Sequence, residues 1–149
     1  MTPPKIVVHT DILLDFLIHK DNDESVLRNA MWKFFCYTTV FNAIELFSFA
    51  KNEKERSAVE RAMKSMKILG LNAKSAKKYG EILGQKINIP NMNMLIAGVC
   101  LESRLPLLTG QPKAFRGVSG LTIVSPSKVV SGKNGSDILR EYNLQSRSN

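Results

Sequence analysis

Residues 5–17, KIVVHTDILLDFL, decide the fold, because a strand pattern passes directly into a helix pattern there. The run at 5–9 follows two prolines and is rich in β-branched residues, which is typical of a buried parallel strand. Thr10 is placed to cap the helix that follows. The apolar residues of that helix share one face: Ile12, Leu13, Phe16 and Leu17. A strand that leads at once into a helix is the repeating unit of an α/β sheet.

The same alternation continues along the chain. Further strands are predicted at 34–38, 105–109 and 121–124. Helices are predicted at 23–33, 40–50, 53–68, 73–85 and 92–102, with a helical turn over 112–116. This order predicts an α/β fold, a three-layer α/β/α sandwich around a mainly parallel central sheet.

We assign residues 1–126 to one domain. Beyond Pro126 the composition changes to Ser, Gly, Lys and Asn. Such a composition predicts that residues 127–149 form a basic, partly flexible tail, which can form a short helix over 137–142.

Glu45 is the most informative single residue. It is the only charged residue between Lys33 and Lys51, in a helix that is otherwise apolar. A lone carboxylate in such surroundings costs several kcal/mol unless a cation, a metal ion or hydrogen-bond donors meet it. Two interpretations stay open: an internal Lys or Arg partner, and a functional site.

Other polar residues follow the predicted strands, where ligands bind in parallel α/β sheets. Asp11 lies in the first turn of a helix, where the helix dipole favours an acid whatever its function. His9 ends the first strand, and a histidine there is more commonly structural than catalytic. Asn93 and Gln111 are neutral amides, which can orient phosphates or water but hold a divalent ion poorly.

Several function classes are excluded by missing motifs. The sequence has no GxxxxGK[ST] or GxGxxG loop, no GxSxG turn and no HExxH pair. Nucleotide-binding P-loop proteins, dinucleotide enzymes, serine hydrolases of the α/β type and zinc proteases of that motif are therefore not indicated.

The charge is unevenly distributed. The formal net charge is +8, and residues 51–86 hold ten Lys/Arg against four Glu, a net charge of +6. Such a sector attracts RNA or DNA, or it is a solvated surface that keeps the protein soluble. No apolar run reaches the roughly 20 residues of a membrane span, and the first residues lack a signal peptide's pattern. We therefore expect no membrane partner and a cytoplasmic location.

Four segments, taken in order, resemble the PIN domain, especially the VapC-like ribonuclease toxins of toxin–antitoxin pairs. They are KIVVHTDILLDFL at 5–17, TTVFNAIELFSFA at 38–50, IPNMNMLIAGVC at 89–100 and PLLTGQPKAFRGVSGLTIVSP at 106–126. Each segment alone is a weak signal, whereas all four in order on matching elements form a fairly specific one.

The resemblance implies a site in which acids from the four segments bind Mg²⁺ or Mn²⁺ for RNA cleavage. The four positions fall on His9, Glu45, Asn93 and Gln111, of which only Glu45 is an acid. The resemblance therefore implies a weak or inactive nuclease that acts as an RNA-binding or interaction module. Thr10 and Thr109 are the expected substrate-binding residues.

The alternative is an active Mg²⁺- or Mn²⁺-dependent endoribonuclease toxin. In this alternative Glu45 and Asp11 are catalytic, and a metal ion is held by His9, Asp11 and Glu45. The softer imidazole ligand would favour Mn²⁺ or Zn²⁺.

Two protein partners are also implied. A homodimer is expected, with the helices near 12–18 and 23–34 as its face, including Trp32 and Phe34. An antitoxin of this family inserts a peptide into the toxin's acidic pocket. Because this pocket has lost most of its acids, we expect weak or absent inhibition by such a partner.

Overall fold

A five-stranded sheet, parallel throughout, forms the centre of the protein. The computed structural model describes residues 2–19 and 25–148. For residues 144–148 it describes the backbone only. The strands are β1 (Lys5–Val8), β2 (Phe35–Thr39), β3 (Lys67–Leu69), β4 (Leu107–Leu108) and β5 (Ile123–Val124). Their order across the sheet is β3-β2-β1-β4-β5, and every neighbouring pair is parallel. The predicted α/β class with a parallel sheet is confirmed.

Helices connect these strands. They are α1 (Thr10–Ile18), α2 (Val26–Lys33), α3 (Val40–Phe49), α4 (Glu53–Lys64), α5 (Ala76–Leu83), α6 (Asn91–Ser103), α7 (Pro126–Val129) and α8 (Gly135–Ser148), with 3₁₀ turns at Ala73–Ser75 and Pro112–Phe115. Helix α2, expected from about residue 23, begins after Ser25, whose side chain accepts a hydrogen bond from the Arg28 amide; positions 23 and 24 lie outside the described residues. None of the helices within 2–19 and 25–148 is long and apolar enough to cross a membrane.

The core consists of two apolar layers, one on each face of the sheet. Alternate residues of β1 point to opposite faces. Ile6 and Val8 therefore pack with helices α1 to α4, whereas Val7 packs with α6. Phe34, expected in a dimer face, is only 3% exposed and belongs to the first layer. Its ring is unavailable to a second subunit because it is already buried within this one.

The two cysteines lie in different layers. Cys36 packs against the first layer, and Cys100 is buried in the second. Both are free thiols, and burial raises the pKa of each to about 12. The sheet separates the two thiols, so they are not placed to form a disulfide with each other.

Strand β3 is a feature that the sequence pattern did not predict. The helix expected over 53–68 ends at Lys64, and the Ser65 hydroxyl donates to the Ala62 carbonyl at 2.6 Å. The next residues, 67–69, pair with 37–39 of β2. A three-residue edge strand with two exposed side chains is too short to show an alternating pattern.

The stretch after Pro126 is more regular than expected. Its composition predicted partial flexibility, but it contains all of α8 and all but the first residue of α7. Val129 and Ile138 are fully buried in the first layer, and the Tyr142 hydroxyl accepts a hydrogen bond from the Ser125 amide at 3.0 Å. A few apolar residues at helical spacing outweigh the polar composition because they find a surface to bury against.

Gly98 of α6 provides a test of this packing. A Cβ atom there would lie 2.6 Å from Cε1 of Tyr79, which is 4% exposed, and 3.3 Å from Cδ1 of Ile82. We expect Gly98→Ala to lower the free energy of unfolding by about 1–3 kcal/mol through overpacking. Denaturation in urea measures the change.

Gly80 in α5 is the matched control, because nothing lies within 4 Å of its added Cβ. Gly80→Ala should raise the stability by about 0.5–1 kcal/mol through helix propensity. A Gly98→Ala variant that gains as much as the control would contradict the close contact between α5 and α6.

Candidate functional site

Polar side chains meet where β1, β2 and β4 end. His9 follows β1, Thr39 ends β2 and Thr109 follows β4. Because the strands are parallel, these positions lie on one edge of the sheet. The side chains form two hydrogen-bonded groups, which we call the Asp11 cluster (His9, Asp11, Thr109 and Gly110) and the Glu45 cluster (Thr10, Thr39, Asn42 and Glu45).

In the Asp11 cluster both carboxylate oxygens are engaged by the protein. Oδ1 accepts from the Ile12 amide at 2.9 Å and lies 3.0 Å from His9 Nδ1. Oδ2 accepts from the Gly110 amide at 2.7 Å, and the Thr109 hydroxyl lies 3.2 and 3.3 Å from the two oxygens. Asp11 therefore ties the end of β1 to the end of β4.

The pKa of Asp11 follows from these contacts. Burial raises it, but hydrogen bonds from the His9 ring and the Gly110 amide, the charge of His9 and the Ile12 amide outweigh burial. The net result is a pKa below the ordinary 3.8. Asp11 is thus a structural anion at neutral pH, held by donors that the protein itself provides.

His9 is locked inside the same cluster. Its ring is buried, and Nδ1 also lies 3.0 Å from the Thr109 hydroxyl oxygen. An ionised carboxylate only accepts hydrogen bonds, so Nδ1 carries the proton in the contact with Asp11. The ring meets Phe115 edge-on, with 5.0 Å between centroids. Nε2 is buried and has no hydrogen-bond partner among the described residues.

In the Glu45 cluster a chain of hydrogen bonds leads to the carboxylate. The Thr39 hydroxyl donates to Asn42 Oδ1 at 2.6 Å, and Asn42 Nδ2 donates to Thr10 Oγ1 at 2.8 Å. The Thr10 hydroxyl then donates to Glu45 Oε1 at 2.7 Å. Within the described part of the chain no Lys or Arg forms an ion pair with Glu45. Of the two interpretations left open by the sequence, the internal Lys or Arg partner is therefore not found, and a hydroxyl meets the carboxylate instead.

Asn42 is a site residue that sequence reasoning missed. It is fully buried and completes a capping box with Thr39 at the start of α3. The pattern of a threonine followed three residues later by a polar residue, before an apolar run, is the available signal. Asn42 also lies three residues before Glu45, which places both on one side of the helix.

Thr10 does not cap α1 as the sequence suggested. It is the first residue of the helix, and the N-cap position belongs to His9, whose side chain makes no capping hydrogen bond. The Thr10 hydroxyl is directed to Glu45 instead, because a carboxylate is the stronger acceptor. Thr10 and Thr109, expected to contact substrate, are both buried with their hydroxyls in these clusters.

The two amides at the remaining positions differ in their surroundings. Asn93, near the start of α6, donates from Nδ2 to the Ala114 carbonyl at 3.2 Å. Gln111, after β4, is exposed, and its backbone amide donates to Thr109 Oγ1 at 3.1 Å. A carboxylate at position 93 could not make the contact with Ala114, since it has no hydrogen to donate.

The donor set for a metal ion is therefore small. Among the described residues, no group of three or more His, Cys, Asp or Glu side chains is arranged to hold a metal ion. Glu45 is half-buried with one oxygen engaged by Thr10, and Asp11 faces the loop after β4.

Replacing Asp11 tests the contact between the strands. In Asp11→Asn an NH₂ group takes the place of one carboxylate oxygen and faces hydrogen-bond donors, to which it cannot bond. We therefore expect a loss of about 1.5–3 kcal/mol in the free energy of unfolding at neutral pH. Because the folded pKa lies below 3.8, the ionic part of this stabilisation is complete above pH 3.8 and is lost as the pH falls through the folded pKa. Denaturation across this range should show wild type and variant converging in acid.

Asp15→Asn is the control for a lost surface carboxylate. Asp15 is exposed and lies 3.2 Å from the exposed His19 ring, a pair worth less than about 1 kcal/mol. An Asp11→Asn change no larger than the Asp15→Asn change would mean that the network around Asp11 contributes little.

Comparison with known proteins identifies the fold. No protein-family model and no curated protein matches the sequence. Among solved structures, a chain of VapBC2 from Rickettsia felis, bound to a promoter DNA fragment, has a TM-score of 0.66 and 23% identity over 80% of this chain and 97% of its own. A chain of DNA-bound VapBC from Salmonella typhimurium has a TM-score of 0.70 and 18% identity, over 83% of this chain and 98% of its own. A chain of VapBC-1 from nontypeable Haemophilus influenzae has a TM-score of 0.67 and 18% identity, over 82% of this chain and 98% of its own.

The matches cover nearly the whole length of these neighbours. At identities below 25% they report the fold and leave the chemistry of the site to this chain's own residues. The neighbours are VapC-type PIN-domain proteins of toxin–antitoxin pairs, and the protein has their PIN-like α/β fold.

Proposed function

We propose that this protein is an RNA-binding or interaction module with a PIN-like fold, whose cleft does not cleave RNA efficiently. The observation that carries the proposal is the state of the carboxylates at the carboxyl edge of the sheet. Glu45 is the only acid at the four positions, and both oxygens of Asp11 are engaged by the protein.

The physical reason is electrostatic. Mg²⁺ and Mn²⁺ favour several anionic oxygens at short range. Asp11 would have to give up the Gly110 amide and the His9 ring to act as a ligand, and Asn93 offers an NH₂ group to Ala114. The residues present therefore do not suit a hard divalent ion, and a catalytic role for Glu45 and Asp11 has little support.

RNA binding is supported by exposed positive charge. All ten Lys/Arg of residues 51–86 are exposed. Residues 51–60 hold three bases and three acids, so the net charge of +6 lies in 61–86, where Glu81 is the only acid. Among the described residues, none of the cations of 61–86 is in an ion pair. They are free to meet phosphates.

A protein partner of the antitoxin kind is part of the proposal. The neighbouring structures were solved as VapBC or toxin–antitoxin complexes. A partner that inserts a basic side chain into the cleft would meet Glu45 as its main anion, because both oxygens of Asp11 already accept hydrogen bonds from protein donors. We therefore infer that contacts outside the cleft would dominate such a complex.

Cleavage assays test the first proposal. Single-stranded RNA incubated with the purified protein and Mg²⁺ or Mn²⁺ should stay intact, and Glu45→Ala should leave this result unchanged. Gel electrophoresis of labelled RNA gives the measurement. Cleavage by the wild type that Glu45→Ala abolishes would identify an active endoribonuclease and overturn the proposal.

A variant with restored charge is the positive control. Asn93→Asp together with Gln111→Glu adds two carboxylates at the family's positions and should raise the affinity for Mn²⁺ by at least tenfold, as measured by calorimetry. A thermal melt of each protein checks that the loss of the Asn93 contact leaves the fold intact. Wild-type protein that already binds Mn²⁺ as tightly as the variant would contradict the electrostatic argument.

We also propose a homodimer through α1 and α2. Trp32 is 87% exposed, and Ile18 is exposed on the neighbouring helix, as interface aromatics and aliphatics are before association. Light scattering at micromolar concentration should report a dimer for wild type and a monomer for Trp32→Ala. Leu71→Ala, which removes an exposed apolar side chain from the loop after β3, should stay dimeric, and a monomeric wild type would refute the dimer.

A further inference from the structure

The amino-terminal edge of the sheet carries a second set of notable residues, at the opposite end from the Asp11 and Glu45 clusters. Lys5, Phe35 and Lys67 are the first residues of β1, β2 and β3. In the parallel register Lys5 pairs with Phe35, and Tyr37 pairs with Lys67. Because paired residues of neighbouring strands point to the same face, and Phe35 and Tyr37 are two residues apart, all four side chains share one face.

These side chains are accessible. Phe35 is 53% exposed, Lys5 and Lys67 are exposed, and Tyr37 is half-buried. The Lys5 ammonium lies over the Tyr37 ring, 5.9 Å from its centroid. Beside them is an open recess of about 460 Å³, with Phe35, Tyr37 and Lys67 in its wall. Pro3, Met31, Ser65 and Met66 complete much of that wall.

The charge of this surface has one sign. Its two lysines, Lys5 and Lys67, are exposed, and neither forms an ion pair with a described residue. None of the described residues that line the recess is acidic.

We propose that this face, which we call the aromatic platform (Lys5, Phe35, Tyr37 and Lys67), binds single-stranded RNA. Successive bases would stack on the rings of Phe35 and Tyr37, whose Cα atoms are about 6.6 Å apart along an extended strand. The ammonium groups on either side would contact phosphates. Stacking rings flanked by cations are the usual means of binding single strands without sequence preference.

The inference rests on the proposed RNA binding and gives it a location. It places the RNA away from the cleft, so that binding does not depend on Glu45 or on a metal ion. Because both rings lie on β2 and the two lysines lie on the neighbouring strands β1 and β3, the platform is preorganised and loses little entropy on binding.

Ring removal is the first test. Binding of labelled oligouridine at low salt is followed by fluorescence anisotropy. Phe35→Leu and Tyr37→Leu keep apolar packing but remove the ring, and each should weaken binding by roughly tenfold. Phe49→Leu is the matched control, since Phe49 is 52% exposed on α3, and it should leave the affinity unchanged.

Charge removal is the second test. For single strands, each neutralised phosphate contact contributes about 0.7 to the slope of log K against log salt. Lys5→Gln with Lys67→Gln should therefore lower the slope by about 1.4. Lys51→Gln with Lys54→Gln removes the same charge from exposed positions of residues 51–60, where acids balance the bases, and should change the slope by less than half as much.

The outcomes separate this inference from the proposed function. Wild-type protein that binds no oligouridine at low salt overturns both. Tight binding that Phe35→Leu and Tyr37→Leu do not weaken overturns the platform alone. If these substitutions instead turn a dimer into a monomer with unchanged RNA affinity, the face is an interface between copies of this chain and the platform proposal is wrong.

Discussion

The carboxylate of Asp11 is the contact on which the geometry of the carboxyl edge depends. It gathers the amides of Ile12 and Gly110, the His9 ring and the Thr109 hydroxyl around two oxygens. These groups come from the ends of two neighbouring strands, β1 and β4. Without an anion there, the Gly110 amide would lose its acceptor within the protein, and the buried His9 Nδ1 would keep only the Thr109 oxygen, which is costly. One side chain therefore joins two loops and sets where the neighbouring residues lie.

The same contact explains how a PIN-like fold can be stable with few carboxylates at this edge of the sheet. Buried carboxylates that repel one another need a cation to hold them together. Here the cation's role is divided among protein donors: a histidine and two amides for Asp11, a threonine hydroxyl for Glu45. Each of these two carboxylates is therefore met by hydrogen-bond donors of this chain.

The two ends of the sheet differ in their chemistry. The carboxyl edge is lined by small polar groups that bond mostly to one another, which leaves few of them to bind a ligand. The amino edge presents the exposed Phe35 ring, the half-buried Tyr37 ring and two exposed lysines, which form no ion pair with a described residue. Groups that are already hydrogen-bonded within the protein must give up those bonds to bind a partner, which lowers the net binding free energy. Exposed groups without such bonds avoid this loss.

The sequence by itself determined the α/β class, the order of most elements and the position of Glu45 as the exceptional charge. These follow from local patterns, since a β-branched run or an apolar helix face is visible in a few neighbouring residues. It did not reveal β3, the buried role of Ile138, or the hydrogen bonds of Asp11 and Asn42. Those features depend on partners far away in the chain. Residues 67–69 form a strand only because β2 lies beside them. Asp11 Oδ2 accepts its hydrogen bond only because the fold brings the Gly110 amide to it. Tertiary structure decided which polar groups are already satisfied and which are free, because hydrogen-bond partners 98 or 99 residues apart leave no trace in local sequence.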